Sequence, residues 1–226
     1  MRKFVVGALS GLAVVALGLG IGASPASATT MSYLLTIDHC SSLCGPQVSF
    51  GQVDLNDFGG TGDVLVNVTL FNGNMFISSG IDHTFDFNLA GGPAITISGV
   101  TAGFGPDGGQ TAGTHQFDGF GDFMYAVPDL GQNGAPGALA GPLSFHVVSP
   151  GITVTSFIAT TNGSPNAVFG ADIISGTTGF TGPVGTTTGV CTSCTPQQLQ
   201  AVPEPASLVL LGSGLIAVTS RLRRRR

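Results

Sequence analysis

Between Phe4 and Ser220 the sequence contains no lysine and no arginine. The same stretch holds eleven aspartates and one glutamate, whereas all seven basic residues lie within the first three or the last six positions. Carboxylates in this region must therefore be met by backbone N–H groups, hydroxyls, water, histidine or cations rather than by Lys or Arg. An acidic body without basic side chains also disfavours polyanions, so we expect no binding to nucleic acid.

Composition favours strands over helices in the central part of the chain. The 226 residues include 36 glycines and no tryptophan, and only 8% are charged. Residues typical of long helices are scarce there, while Gly, Thr, Val, Ile, Phe and Asn are abundant, which is typical of short strands joined by turns.

Several segments alternate apolar and polar residues with a period of two, a pattern in which one face packs inward and the other meets water. The alternating segments are 84–89, 94–98, 143–147 and 152–155, and a more apolar run covers 64–70. Such alternation favours antiparallel sheets. With turns between the runs, it predicts an all-β antiparallel β-sandwich, jelly-roll-like or immunoglobulin-like. The expected buried layer is Phe50, Val66, Phe85, Phe87, Ile95, Ile97, Phe145, Val147, Val154 and Phe157.

The predicted organisation has four parts. A signal peptide covers 1–28, the β-sandwich body 29–174, a Gly/Thr-rich linker 175–201 and a membrane-sorting tail 202–226. Within the body, the Gly-rich stretch 101–122 is expected to be a long surface loop.

The N-terminus has the pattern of a secretory signal. Arg2 and Lys3 precede an uncharged apolar stretch, predicted as a signal helix, and Ala26 and Ala28 form an A-x-A cleavage box. We expect signal peptidase to cleave after Ala28, with an uncleaved membrane anchor as the alternative.

The C-terminus combines three features in order. Pro203, Glu204 and Pro205 come first, and a fifteen-residue apolar segment, 206–220, follows. As a helix that segment spans about 22 Å against a hydrocarbon core of about 30 Å, which suits a transient inner-membrane anchor. Arginines end the chain and hold this end in the cytoplasm by the positive-inside rule; they are Arg221, Arg223, Arg224, Arg225 and Arg226.

This arrangement resembles the PEP-CTERM sorting domain, and the resemblance covers the tail alone. It implies a Gram-negative-type bacterium and processing by an exosortase. It also implies release or attachment at the cell surface, often alongside exopolysaccharide. Pro203, Glu204 and Pro205 would be the recognition motif, and the short membrane helix with the arginine cluster would be the retention signal.

Four cysteines form two close pairs, Cys40 with Cys44 and Cys191 with Cys194. Disulfides are the default in an exported protein. Local pairing is favoured because the partners are necessarily close. Crossed pairing and a four-thiolate zinc site are the alternatives.

Enzyme signatures are missing from the sequence, so we expect a non-enzymatic protein without catalytic residues. There is no G-x-S-x-G, no H-E-x-x-H and no P-loop lysine. The four histidines, His39, His83, His115 and His146, are scattered.

No cofactor or metal is expected, with calcium as the one alternative. The sequence G-x-G-x-x-G at 103–108 lies where Pro106 opposes a helix, so it is interpreted as a loop. Asp107, Asp118 and Asp122 offer oxygens for calcium, but a solvated acidic loop is the favoured interpretation.

Together these features predict an exported, exosortase-processed surface or extracellular-matrix protein associated with exopolysaccharide or biofilm. The alternatives are a carbohydrate- or calcium-binding β-sandwich module and a polysaccharide hydrolase.

Overall fold

The structure is a computed structural model that describes residues 28–60, 62–78, 83–131 and 133–186. This part of the chain forms fourteen strands and two short 3₁₀ helices, Ala135–Gly137 and Val154–Ser156. The strands are β1 Thr30–Leu35, β2 Ile37–Asp38, β3 Gly51–Asn56, β4 Asp63–Leu70, β5 Met75–Phe76, β6 Phe85–Phe87, β7 Ile95–Ser98, β8 Gly108–Gln110, β9 His115–Phe117, β10 Gly121–Phe123, β11 Tyr125–Val127, β12 Leu143–Val148, β13 Phe169–Ile174 and β14 Thr181–Thr186.

These strands build two large sheets and one hairpin, and all their pairings are antiparallel. The first sheet has the order β1-β3-β4-β12-β7-β8, and the second has the order β11-β6-β13-β14-β2, with β5 beside β13. Strands β9 and β10 pair only with each other. The chain passes from the first sheet to the second at Thr36, whose N–H donates to the carbonyl of Gly185 at 3.0 Å. The all-β, antiparallel prediction is confirmed.

The two sheets meet in one hydrophobic core. Phe145 of the first sheet contacts Phe85 and Phe87 of the second, with ring centroids 6.0 and 5.8 Å apart. Tyr33 of the first sheet packs against Phe169 of the second at 5.1 Å. All ten residues of the expected buried layer are buried, so that prediction is confirmed. Each such side chain contributes about 1.5–3 kcal/mol when it leaves water.

Four of the five predicted strand segments correspond to β4, β6, β7 and β12. The prediction for 152–155 is wrong, because Val154–Ser156 is a 3₁₀ helix. The hydroxyl of Ser156 accepts from the N–H of Thr153 at 3.2 Å, and the hydroxyls of Thr153 and Thr155 lie 2.8 Å apart. Such local hydroxyl bonds offer the backbone an alternative to a strand ladder, although Val154 still reaches the core.

The predicted linker 175–201 begins too early, because β14 lies between β13 and β2 inside the second sheet. Its Val184 is buried in the core. Two glycines fit this strand to its neighbours: a Cβ on Gly182 would lie 2.8 Å from the Cα of Cys40, and one on Gly185 would lie 2.7 Å from Phe120. The glycines that predicted a flexible linker therefore allow β14 to pack closely against its neighbours.

The prediction of a surface loop at 101–122 is also wrong. The stretch contains β8 and β9 and begins β10. Phe117, Phe120, Phe123 and Ala167 form a second, smaller buried cluster outside the main core. These aromatic side chains supply the buried apolar surface that the many glycines of this stretch lack. The hairpin β9–β10 therefore forms a third layer over the second sheet.

In the described part of the chain, none of the helices has the length and apolar character needed to cross a bilayer. The predicted signal helix and the predicted membrane helix of the tail lie outside the described residues.

Candidate functional site

Strand β6 buries polar side chains on the face that turns away from the main core. Phe85 and Phe87 point into that core, so Asp86 between them points to the opposite side. Asp86 has no solvent exposure, and Thr84 and Asn88 on the same side are also buried. The prediction that this face meets water is wrong, because the hairpin β9–β10 covers it.

The contacts of Gly170 show how closely the hairpin is seated. Gly170 on β13 is the direct cross-strand neighbour of Asp86. A Cβ on Gly170 would lie 3.0 Å from Phe123 and 3.2 Å from Phe117. Just after β10, the N–H of Met124 donates to Oδ1 of Asn88 at 2.8 Å. Aromatic rings and a backbone hydrogen bond therefore hold the hairpin directly above the polar face of β6.

Four titratable residues meet where the hairpin β9–β10 covers the second sheet, and we call them the His–Asp cluster: His83, Asp86, His115 and Asp172. Nδ1 of His83 lies 2.8 Å from Oδ2 of Asp86. The ring of His115, on β9, lies edge-on to that of His83 at 5.6 Å. Asp172, on β13, is 1% exposed and interacts electrostatically with Asp86.

Burial controls the electrostatics of the cluster. Burial raises the pKa of Asp86 to about 7, the nearby His83 opposes that rise, and Asp172 adds to it by charge repulsion. The short contact between His83 and Asp86 is not aligned as a hydrogen bond, and neither Asp86 oxygen has an aligned partner among the described residues. Burial, and then the charge of His83, lowers the pKa of His115. Asp86 therefore changes its protonation state close to neutral pH.

Sequence reasoning missed this cluster, because it treated the four histidines as scattered. The fold brings His83 and His115 together across 32 positions of the chain and leaves His146 on the surface beside Asp63, at 2.8 Å. The one local signal was an aspartate between two phenylalanines in β6, since burying both sides of such a strand encloses a carboxylate.

Of the three aspartates suggested for calcium, Asp107 and Asp122 accept hydrogen bonds within the protein, and Asp118 is exposed. Asp107 accepts backbone hydrogen bonds from Gly99 and Val100 at 3.1 and 3.0 Å. Asp122 accepts from Nδ2 of Asn162 at 2.9 Å. No grouping of metal-ligating side chains among the described residues includes them. Asp107 therefore stabilises the turn after β7, and Asp122 links β10 to Asn162, which lies 40 positions further along the chain.

The structure joins Cys40 to Cys44 in a disulfide, which is the local pairing that the spacing favours. The carboxylate of Asp38 lies close to both sulfurs and accepts from the N–H of Cys40 at 2.6 Å. Sulfurs joined in a disulfide are not thiolate ligands, so Asp38, Cys40 and Cys44 stabilise a loop and do not form a zinc site. Cys191 and Cys194 lie outside the described residues.

An open groove of about 760 Å³ lies beside this disulfide loop, at the end of the body where short turns connect β4 to β5 and β13 to β14. The side chain of Gln47 connects the segments that line the groove through hydrogen bonds. Its Nε2 donates to the carbonyl of Cys44 at 2.9 Å, and its Oε1 accepts from the amides of Asn72 and Asn74 at 3.0 Å each. Among the described residues, no charged side chain lines it; the lining consists of residues 46–49, Phe71, Asn72 and Thr177.

No curated protein and no solved structure matches the chain. The C-terminal residues, by contrast, match a known signal that contains Pro203, Glu204, Pro205 and the terminal arginines, all outside the described residues. The body is not part of that match, but the tail resemblance is confirmed. Residues 201–226 carry the PEP-CTERM protein-sorting motif, which indicates an exported protein sorted by exosortase.

Proposed function

We propose that this chain is an exosortase-processed surface or extracellular-matrix protein whose body is a non-enzymatic β-sandwich associated with exopolysaccharide. The observation that carries the proposal is the sorting motif at 201–226, which follows a body free of Lys and Arg. Positive charge at the two ends and an acidic middle favour export of the middle, because basic segments are retained on the cytoplasmic side.

Cell fractionation tests the sorting. The native chain and a variant with Pro203, Glu204 and Pro205 all changed to Ala are produced in the same bacterium and followed with an antibody against the body. The native protein is expected at the surface or in the medium with its tail removed. The variant, and the native chain in a strain lacking exosortase, are expected in the inner membrane with the tail intact. Equal release of all three contradicts the proposal.

The non-enzymatic part of the proposal has a separate test. Purified exported protein is incubated with neutral and acidic polysaccharides, and new reducing ends are measured. We expect none above a heat-denatured control. Steady release of reducing ends would establish the hydrolase alternative instead.

A second candidate function, glycan binding, is favoured by the groove beside the disulfide. Its volume falls within the usual range of ligand sites, about 300–1,000 Å³. Its lining offers amides and a threonine hydroxyl that both donate and accept, together with the apolar Val48 and Phe71. A neutral sugar chain has hydroxyls and apolar C–H faces to match. In the part of the chain that the structure describes, no cationic side chain lines the groove to pair with an anionic polymer, so we propose a neutral glycan as ligand.

Affinity electrophoresis tests this second function. Gels containing neutral polysaccharide are expected to retard the protein, and gels containing a uronic-acid polymer are not. Val48 is 94% exposed and Thr177 is also exposed, so the double change Val48→Asn and Thr177→Val is expected to weaken binding about tenfold without affecting folding. The matched control changes Val148→Asn and Thr114→Val, far along the chain from the groove. Retardation that survives the groove variant would exclude this site.

A further inference from the structure

Asp57 is a buried carboxylate at the beginning of the chain's first strand pairing. Its side chain is 6% exposed. Oδ1 of Asp57 accepts from the N–H of Thr29 at 2.8 Å and from the N–H of Gly59 at 3.0 Å. The N–H of Asp57 in turn donates to the carbonyl of Thr29 at 3.2 Å. Thr29 therefore extends the β1–β3 ladder by one position, beyond the pair formed by Thr30 and Asn56.

The backbone nitrogen that donates to Asp57 belongs to Thr29, which becomes the first residue of the protein after the expected cleavage by signal peptidase. Hydrolysis of the peptide bond between Ala28 and Thr29 adds the hydroxyl of water to the carbonyl carbon of Ala28 and a proton to the nitrogen of Thr29. At neutral pH this new α-amino group, with a pKa of about 7.7–8.0, takes up a further proton and becomes an ammonium ion. The neutral amide donor is thereby replaced by a cation at the same atom.

We propose that Asp57 is the receptor for the α-ammonium group of Thr29 in the processed protein, so that signal-peptide removal creates an ion pair that fixes β1 to the sheet. This inference rests on the proposed export and cleavage after Ala28. A charged donor to a carboxylate forms a shorter and stronger hydrogen bond than an amide does.

The charge distribution makes this ammonium group exceptional. A chain beginning at Thr29 has no lysine and no arginine before Arg221. Apart from the histidines, the α-ammonium is then the one cationic group before Arg221 that can pair with the aspartates of the body, and it is formed 2.8 Å from one that is almost fully buried. Strand β1 lies at the edge of the first sheet, with β3 as its one ladder partner there, so an anchor at its first residue opposes fraying.

The absence of lysine also supplies a selective test. In the chain that begins at Thr29, acetic anhydride modifies the α-amino group without any competing lysine, because the sole lysine of the precursor is Lys3. Acetylation keeps one N–H donor at Thr29 and removes the charge. The melting temperature of the purified processed protein is expected to fall by about 2–6 °C on acetylation, as for the loss of a partly buried charged hydrogen bond in a domain of this size.

A double-variant cycle assigns the loss to Asp57. Asp57→Asn keeps a side-chain oxygen for Gly59 but removes the negative charge, so acetylation of this variant is expected to change the melting temperature by less than 1 °C, about the resolution of the measurement. Asp118→Asn, at an exposed aspartate, is expected to respond to acetylation as the native protein does. An unchanged melting temperature after acetylation of the native protein overturns the proposal, and so does an equal fall in the Asp57 variant. If Asp57→Asn does not fold, acetylation of the native protein alone still decides.

Mass spectrometry of the exported protein separates this inference from the proposed function. An N-terminus at Thr29 supports both. Export with an N-terminus at another residue leaves the sorting proposal intact and overturns the ion pair as a product of maturation. Retention in the cytoplasm contradicts the sorting proposal directly.

Discussion

Nδ1 of His83 and Oδ2 of Asp86 lie 2.8 Å apart beneath a hairpin that hides the carboxylate completely from water. Removing an ionised carboxylate from water is costly unless aligned partners replace the water. Here the neighbouring groups are the His83 imidazole, which is not aligned for a hydrogen bond, and a second buried aspartate, Asp172. The hairpin therefore covers the second sheet most stably when Asp86 keeps its proton.

Replacing Asp86 by Asn is expected to flatten the pH dependence of stability between weakly acidic and neutral pH. Burial raises the pKa of Asp86 from 3.8 to about 7, so the folded protein holds this proton more tightly than the unfolded chain does. The resulting stabilisation is complete below 3.8 and is lost as the pH rises to about 7, with an upper limit of ~4 kcal/mol. Melting temperatures of the two proteins across this range check the prediction. Parallel curves would show that Asp86 titrates normally.

Replacing His115 by Gln is expected to reduce the loss of stability that occurs when the pH falls, whereas the Asp86 change reduces the loss that occurs when the pH rises. Burial lowers the pKa of His115 below its ordinary 6.5, so its contribution to stability is present above that pH and is lost as acid protonates it in the unfolded chain. The variant should lose less stability than the native protein between about pH 7 and about pH 5. Thermal melts at the two pH values measure this. A variant that loses as much stability as the native protein over this interval would contradict the prediction.

A methyl group at Gly185 is expected to disturb the third layer. A Cβ there would lie 2.7 Å from the ring of Phe120 and 3.0 Å from the carbonyl of Phe169. Gly185→Ala should therefore lower the free energy of unfolding by about 1–3 kcal/mol, as overpacking does in well-filled cores. Gly108→Ala is the matched control, since nothing lies within 4 Å of its added Cβ. Urea titrations that show equal stability for both variants would contradict this packing.

Changing Cys40 and Cys44 together to Ser is expected to destabilise the body by about 2 kcal/mol, because the loop that the disulfide closes is short. Denaturant titrations of the native and double-Ser proteins measure the difference. Mass spectrometry of unreduced peptides provides the structural check: both cysteines should appear in one internally linked fragment. A fragment that links either of them to Cys191 or Cys194 would establish crossed pairing.

The sequence predicts which side chains face the main core, but it does not predict the third layer. Both results have one physical reason, which is that alternation is a local pattern. Alternation in β6 states that Phe85 and Asp86 face opposite ways, and hydrophobicity assigns Phe85 to the core. Nothing in that local pattern tells whether a later segment will cover Asp86. The cover comes from Phe117, Phe120 and Phe123, which lie in a stretch whose many glycines suggested a loop.

Contacts between residues distant in sequence were equally hidden from local patterns. The meeting of His83 with His115 depends on where the hairpin settles, and the pairing of Asp57 with Thr29 depends on the register of β1 against β3. The disulfide between Cys40 and Cys44 was accessible, because four positions of separation leave few alternatives. The sorting tail was accessible for another reason, since its signal lies within one short continuous stretch of sequence.

Strand β14 has a consequence for the order of events during secretion. It is the last strand in the described part of the chain, yet it lies between β13 and β2 rather than at an edge. A polypeptide that leaves the cytoplasm N-terminus first delivers this strand after the other thirteen. Until it emerges, β2 has no neighbour in its sheet and the place of Val184 in the core is unfilled. The second sheet is thus completed only when residues 181–186 have been exported, so the body reaches its full fold late in secretion.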